Sequence, residues 1–244
     1  MESMEYHEYI ASISFRVLQP HMKVSWWYDL SARILRKAGL SAELVNTALP
    51  DDERGMKKRL REVCRIQKMS TLAIGAMINR GVFQMPDSQA FVNVGVWRGF
   101  SLLAGVAGND RKTCIGVDNF SEFGGPREEF LERFNQCKSP KHYFYEMDYV
   151  EYFKNVHQES IGYYFYDGHH SYDNQLRGLQ MAEPFFSPNC IVMVDDTNWE
   201  PPRRATLDFI ARSQYKYQIL LDETTHGNFH PTLWNGVMIL KRIA

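Results

Sequence analysis

The run Ala90-Phe91-Val92-Asn93-Val94-Gly95-Val96-Trp97-Arg98-Gly99-Phe100-Ser101 decides the fold: an apolar segment of strand length breaks on a loop with two glycines four positions apart, and helix-length sequence follows. A strand feeding a glycine turn and then a helix is the opening unit of an open α/β sheet. Outward from it the rhythm repeats. Strands are predicted over residues 90–96, 113–117, 142–147, 163–166 and 190–194, and helices over 101–108, 127–137, 150–157 and 172–185. These strands are apolar throughout instead of alternating, as in a parallel sheet covered by helices on both faces. After a helix predicted over 202–213, strand patterns at 217–222 and 235–241 follow with no helix between them. Such neighbours pair antiparallel, so the sheet is expected to finish in a hairpin.

Upstream, the pattern is helical from about Trp26 to Arg80. Trp27, Leu30, Ile34 and Leu35 recur at helical spacing, and Pro50-Asp51-Asp52-Glu53 opens a second helix expected to run through Lys68. The chain therefore divides into an N-terminal helical extension or cap over 1–85 and a sheet domain over 86–244. Trp26, Trp27 and Tyr28 either close over the site of the sheet domain or pack in the core. The cations of the second helix, among them Arg54, Lys57, Lys58, Arg59, Arg61, Arg65 and Lys68, are read as a solvated face, since no aromatic platforms interleave them.

Composition narrows the classes. The 244 residues are 44% hydrophobic and 14% aromatic, enough to fill a large core. Lys+Arg 28 against Asp+Glu 29 leaves a net charge of -1, without the bulk positive field that nonspecific nucleic-acid or anionic-lipid binding needs. The longest apolar stretch, Phe91 to Gly108, is broken by Asn93, Arg98 and four glycines, so it is no membrane span, and no charged-then-apolar leader opens the chain. A cytoplasmic protein is expected. Cys64, Cys114, Cys137 and Cys190 form no CxxC pair and are read as reduced, mostly buried thiols.

In an open parallel sheet, ligands sit at the carboxyl ends of the strands. Gly95 and Gly99 there let backbone approach a ligand, and Ser101 is expected to cap the following helix, whose N-terminus offers free N–H groups. The GxGxxG spacing is absent, which argues against a nicotinamide dinucleotide. Asp118, nineteen positions beyond Gly99, ends the second strand where a carboxylate can accept from the hydroxyls of a ribose. Asp148, at the end of the third, is placed to accept from an adenine amino group. The fourth strand ends Tyr166-Asp167-Gly168-His169-His170-Ser171-Tyr172 and the fifth Val194-Asp195-Asp196-Thr197. Asp167, Asp195 and Asp196 thus meet at one sheet edge, where three carboxylates repel unless a cation joins them. An all-oxygen set suits Mg²⁺ best, with Mn²⁺ or Ca²⁺ next, while His169 and His170 would also permit a transition metal.

At these residues the chain resembles the class I S-adenosylmethionine-dependent methyltransferases, and more narrowly the metal-dependent O-methyltransferases similar to the macrocin and novobiocin-pathway sugar methyltransferases. The resemblance runs from about Ser88 to the end and rests on Val94-Gly95-x-x-x-Gly99-x-Ser101, Asp118, Asp167-Gly168-x-His170-Ser171-Tyr172, Asp195-Asp196 and the closing Gly236-Val237-Met238-Ile239-Leu240. It implies a Rossmann-like α/β fold: a seven-stranded, mostly parallel sheet with an antiparallel last strand and helices on both faces. It implies S-adenosylmethionine as cofactor, with Asn93, Gly95, Gly99, Ser101, Asp118, Asp148 and Asp167 in its binding site and Asp167, Asp195 and Asp196 holding a magnesium ion. Asn93 stands where an acidic residue is common, and His169 where a second aspartate is frequent. His169 is then a general base beside Asp167, a metal ligand, or part of the wall. The expected reaction is methyl transfer to a hydroxyl of a small molecule, a sugar or phenol with neighbouring hydroxyls. The alternative is a cephalosporin-hydroxylase-like or inactive cofactor-binding protein of the same fold. A nucleic-acid methyltransferase is disfavoured, because the Asp/Asn-Pro-Pro-Tyr/Phe signature is missing: Pro201-Pro202 lies between Glu200 and Arg203. A homo-oligomer is compatible with all of these readings.

Overall fold

The computed structural model of the chain describes residues 4–38 and 41–243. Its N-terminal part holds α1 (Tyr6–Ser12), β1 (Ser14–Phe15), α2 (Trp26–Lys37), α3 (Ala42–Asn46), β2 (Thr47–Ala48), α4 (Glu53–Leu60), a 3₁₀ turn (Val63–Arg65) and α5 (Leu72–Gln84). The remainder alternates as β3 (Ala90–Val94), α6 (Phe100–Val106), β4 (Thr113–Asp118), α7 (Arg127–Cys137), β5 (His142–Glu146), α8 (Tyr149–Asn155), β6 (Ile161–Tyr166), α9 (Tyr172–Ala182), β7 (Phe186–Asp195), α10 (Glu200–Arg212), β8 (Tyr217–Glu223) and β9 (Val237–Arg242).

The large sheet has seven strands in the order β5-β4-β3-β6-β7-β9-β8. The pairings β4–β5, β3–β4, β3–β6 and β6–β7 are parallel, and β9 runs antiparallel to both β7 and β8. The expected fold class is therefore borne out, hairpin included. Strand order reverses between β3 and β6, and the carboxyl ends of those two strands open the crevice where such sheets bind ligands. Alternate residues of each strand feed two apolar layers. Phe91, Tyr163 and Met193 pack with α5, α6 and α7 on one face, while Val92, Tyr164 and Val192 pack with α8, α9 and α10 on the other. Burying both faces explains the unbroken apolar strands.

Segment 1–85 departs from the expected helices. The helix opened by Pro50 ends at Leu60, not Lys68. Asp52 caps it by accepting from the Gly55 N–H at 3.0 Å, and Met56 and Leu60 are buried one turn apart. Arg61 and Glu62 then face solvent, so nothing rewards further helix, and the chain tightens through the 3₁₀ turn to bury Ile66. Several of this segment's cations serve internal contacts: Lys57 with Glu53, Lys68 with Glu43, and Arg59 Nη1 with Asn79 Oδ1 at 3.0 Å. By contrast α5 is buried almost all round and packs against α6 and against β6 of the sheet. Asn79 Nδ2 donates to the Ala104 and Ala107 carbonyls of α6, and a side chain at Gly81 would collide with the Tyr163 ring of β6. Each of its fully buried Leu and Ile side chains contributes about 1.5–3 kcal/mol relative to exposure.

Trp26 and Trp27 at the start of α2 are neither core nor cleft lining, whereas Tyr28 is half-buried away from the cleft. Trp26 and Trp27 are 61% and 63% exposed and stack on each other at 3.7 Å, and Leu30 and Ile34 continue an outward stripe. The thiols of Cys114 and Cys190 are buried as expected, whereas Cys137 is exposed. No helix among the described residues is long and apolar enough to cross a membrane.

Candidate functional site

A cleft of about 480 Å³ opens at the carboxyl ends of β3, β4, β6 and β7. Of the residues singled out in the sequence, Gly95, Ser101, Asp118, Asp148, Asp167, His169, Asp195 and Asp196 all line it. Asn93 and Gly99 do not. The first 85 residues reach it through Met69 and Ser70.

One wall is the glycine loop. Gly95 has φ +80°, and a Cβ there would lie 1.9 Å from the Asp167 carbonyl oxygen, so only glycine lets the ends of β3 and β6 run this close. Backbone bonds continue the sheet into the loop, Gly95 N–H to Val117 O and Asp167 N–H to Val94 O, each at 2.9 Å. Asp118 Oδ2 accepts from the N–H groups of Val96 and Trp97 at 2.7 and 2.8 Å, and Oδ1 from Phe120 N–H at 2.7 Å. Three of about four acceptor positions are thus taken by backbone, leaving about one for a ligand. Asn93 is fully buried; its Nδ2 donates to the Gly95 carbonyl at 3.0 Å while its Oδ1 has no partner. It braces the loop from behind. Ser101 proves not to be a cap: Gly99, in left-handed backbone, takes that position, and Ser101 sits inside α6. A glycine with free φ can turn the chain into a helix directly, so no side-chain cap is needed. Asp148 caps α8, accepting from Val150 N–H at 2.8 Å.

The other wall carries the acidic group. Asp195 is 1% exposed and its Oδ1 accepts from the Asp196 N–H at 2.9 Å. Asp196 Oδ1 accepts from Asn235 Nδ2 at 2.7 Å, and its Oδ2 lies 3.1 Å from His170 Nε2. His170 Nε2 is also 3.7 Å from Asp167 Oδ1, and its ring meets Trp199 edge-on at 5.7 Å. Burial, and then repulsion from Asp195, Asp196 and Asp118, pushes the Asp167 carboxyl well above the usual range. Burial and Asp196 do the same to Asp195. Asp196 is raised by burial, against which His170 and Asn235 pull it down, and burial lowers His170. His169, in contrast, is more than half exposed; its Nδ1 accepts from the Ser171 N–H at 3.1 Å and its Nε2 is 3.8 Å from Glu122 Oε1. Sequence reasoning thus underweighted His170 and missed Asn235, Trp199 and Glu122. The Asp167-x-x-His170 spacing was the only signal for any of them.

Such donors, with Asp196 raising Asp195 and both raising Asp167, fit a hard divalent cation in chemistry. Among the described residues, no group of three or more His, Cys, Asp or Glu side chains stands arranged to hold a metal ion. As an apolar cleft with a few convergent polar groups and perturbed carboxyls, the site suits a small molecule.

Residues 92–197 match the family model described as a methyltransferase domain. No curated protein is detectably similar in sequence. Among solved structures, the apo TDP-rhamnose 3'-O-methyltransferase of calicheamicin biosynthesis is similar with a TM-score of 0.57 at 18% identity, covering 91% of this chain and 96% of its own. An O-methyltransferase from Bacillus cereus in complex with SAH is similar with a TM-score of 0.55 at 10% identity, covering 88% of this chain and 97% of its own. At these identities the likeness is one of fold over nearly the whole chain.

Proposed function

We propose that this chain, whose residues 92–197 match a methyltransferase-domain model, is a class I S-adenosylmethionine-dependent methyltransferase that methylates a hydroxyl oxygen of a small molecule bearing neighbouring hydroxyls, with a divalent cation assisting. The observation that carries this reading is the carboxylate group of Asp167, about one-third exposed at the cleft, with buried Asp195 and Asp196 beside it, set in the same cleft as the glycine loop and Asp118.

Gly95 and the loop it starts would face the amino-acid part of the cofactor, with Asn93 bracing the loop from behind. Asp118 would take a ribose hydroxyl on its remaining acceptor position while its other bonds fix the loop, and Asp148 would lie by the adenine. Bound S-adenosylmethionine would supply an activated methyl group, passed to the acceptor oxygen as the carbon–sulfur bond gives its electron pair to sulfur, and the hydroxyl proton would pass to a base. Because the sulfonium is already activated, the chain mainly aligns the two reactants. A cation held by Asp167, Asp195 and Asp196 would offset their repulsion and lower the pKa of a coordinated hydroxyl. His170 is better placed than His169 to accept the proton, since it stands against the carboxylates and burial keeps it neutral. The TDP-rhamnose acceptor named for one structural neighbour is consistent with a diol-bearing ring. We further propose that residues 1–85 act as a cap on the sheet domain, attached through α5 and contributing Met69 and Ser70 to the cleft. The resulting picture is of a cytoplasmic enzyme with a small-molecule partner.

The test is transfer of labelled methyl from S-adenosylmethionine to catechol and to methyl rhamnoside. Transfer is expected to fall about a hundredfold or more in chelator and to return with Mg²⁺. Transfer indifferent to chelator removes the cation; bound cofactor with no transfer to any hydroxyl removes the reaction.

A further inference from the structure

At the end of the cleft remote from Asp118, one buried amide ties two structural elements together. Asn235, 1% exposed and just ahead of β9, donates from Nδ2 to Asp196 Oδ1 at 2.7 Å and accepts at Oδ1 from the Phe229 N–H at 2.7 Å. Asn198, two residues past Asp196, makes the matching stitches. Its N–H donates to the Asn235 carbonyl at 2.7 Å, its Nδ2 donates to Thr225 Oγ1 at 2.8 Å, and its Oδ1 accepts from the Thr225 N–H at 2.9 Å. Residues 225–235 and the carboxylate of Asp196 are therefore one hydrogen-bonded unit. The loop is anchored on its outer side too, by His226 N–H to the Pro20 carbonyl at 2.8 Å and His230 Nε2 to the Met22 carbonyl at 3.0 Å.

Strained backbone lines both walls of the cleft, and half of it lies here. Non-glycine residues with positive φ that line the cleft are Trp97, Phe120, Phe123, Asp196, Phe229 and Trp234. Left-handed backbone is disfavoured for bulky side chains and persists only where surrounding structure fixes it, which is characteristic of ligand sites. Asn235 bonds to two of the six, Asp196 (φ +59°) and Phe229 (φ +60°), and lies next to a third, Trp234. What this arrangement presents is an aromatic corner. Phe229 is 66% exposed at the cleft and meets Trp234 edge to face at 5.3 Å. A large ring held exposed by strained backbone gains burial only when something sits on it.

We propose that Asn235 is a positioning residue that fixes Asp196 relative to the Phe229–Trp234 corner, and that residues 225–235 are the specificity element for the acceptor. The corner seats the apolar face of a ring whose neighbouring hydroxyls reach the carboxylates. This rests on the reading that the cleft takes a hydroxyl acceptor. Both a catechol and a diol-bearing sugar present that shared chemistry: an apolar ring face with adjacent hydroxyls at its rim.

The experiment titrates catechol, and separately methyl rhamnoside, into the S-adenosylhomocysteine-loaded protein by calorimetry, and measures initial rates of methyl transfer to the same two probes. Phe229→Ala, a change at an exposed ring, is expected to weaken binding of the preferred probe about tenfold with S-adenosylhomocysteine affinity unchanged. Asn235→Ala is expected to lower kcat about a hundredfold while acceptor KM and S-adenosylhomocysteine affinity move by less than about threefold. Wild-type probe affinity in Phe229→Ala, or binding of neither probe by the wild type, overturns the seat, and wild-type kcat in Asn235→Ala overturns the positioning role. Probe binding that is sensitive to Phe229→Ala but yields no methyl transfer contradicts the proposed reaction while supporting the seat.

Discussion

The two walls of the cleft are built by different means. The wall at Gly95 and Asp118 is held by backbone: parallel strand ends exchange N–H and carbonyl groups, and one carboxylate gathers the N–H groups of Val96, Trp97 and Phe120. The wall at Asp196 and Phe229 is held by side-chain amides, those of Asn198 and Asn235, on the antiparallel side of the sheet. A backbone clasp is generic and suits a ligand part common to many enzymes. An amide lace depends on two particular side chains, so it is where one acceptor can be told from another.

The comparison breaks most sharply at Gly95. Gly95→Ala places a methyl group against the Asp167 backbone in a left-handed conformation. A loss of about 3 kcal/mol or more of stability is expected, together with loss of cofactor binding. Thermal melting within about 1 kcal/mol of wild type would show that the clasp has slack.

A smaller effect separates charge from shape in the amide-laced wall. Burial and then Asp196 hold the Asp195 carboxyl protonated above the ordinary carboxylate range. A folded-state pKa raised above the unfolded one gives stability that is complete at low pH and lost as pH rises through the folded pKa. In chelator, Asp195→Asn, which keeps the shape without the charge, should therefore gain melting temperature relative to wild type between about pH 5 and about pH 8. Mg²⁺ should then narrow the difference by stabilising the wild type alone. A difference flat with pH would show that the trio carries no uncompensated charge.

The smallest effect is expected outside both walls. Trp26 and Trp27 touch solvent and each other, so replacing both with serine should change stability by less than about 0.5 kcal/mol and leave S-adenosylhomocysteine binding unaltered. A drop of several degrees in melting temperature would return these rings to the core.

Legibility in the sequence followed the same division. The alternation from Ala90 to Val194 and the closing hairpin were readable because each parallel strand, buried on both faces, leaves an unbroken apolar run bounded by turn residues. Asp118, Asp167, Asp195 and Asp196 were readable because strand ends place them at one edge whatever their separation along the chain. Asn235 was not. It bonds across 39 residues to Asp196, and no periodicity marks such a contact; the apolar pattern makes it the first residue of a strand, which in the structure starts after Gly236, whose φ of +85° interrupts extended backbone. Nor was the outward turn of α2 readable, since a helical apolar stripe reads the same whether it faces core or solvent. The stop of α4 at Leu60 was hidden for a related reason: residues 61 and 62 have good helix propensity but no buried face to join.

On the proposed function, one wall of the cleft binds the cofactor and the other carries the chemistry. Titrating S-adenosylhomocysteine into wild type, Asp118→Ala and Asp195→Ala by calorimetry tests it directly. Asp118→Ala should weaken binding about tenfold or more, whereas Asp195→Ala should stay within about threefold of wild type. Full affinity in Asp118→Ala, or its loss in Asp195→Ala alone, would contradict the division of the cleft.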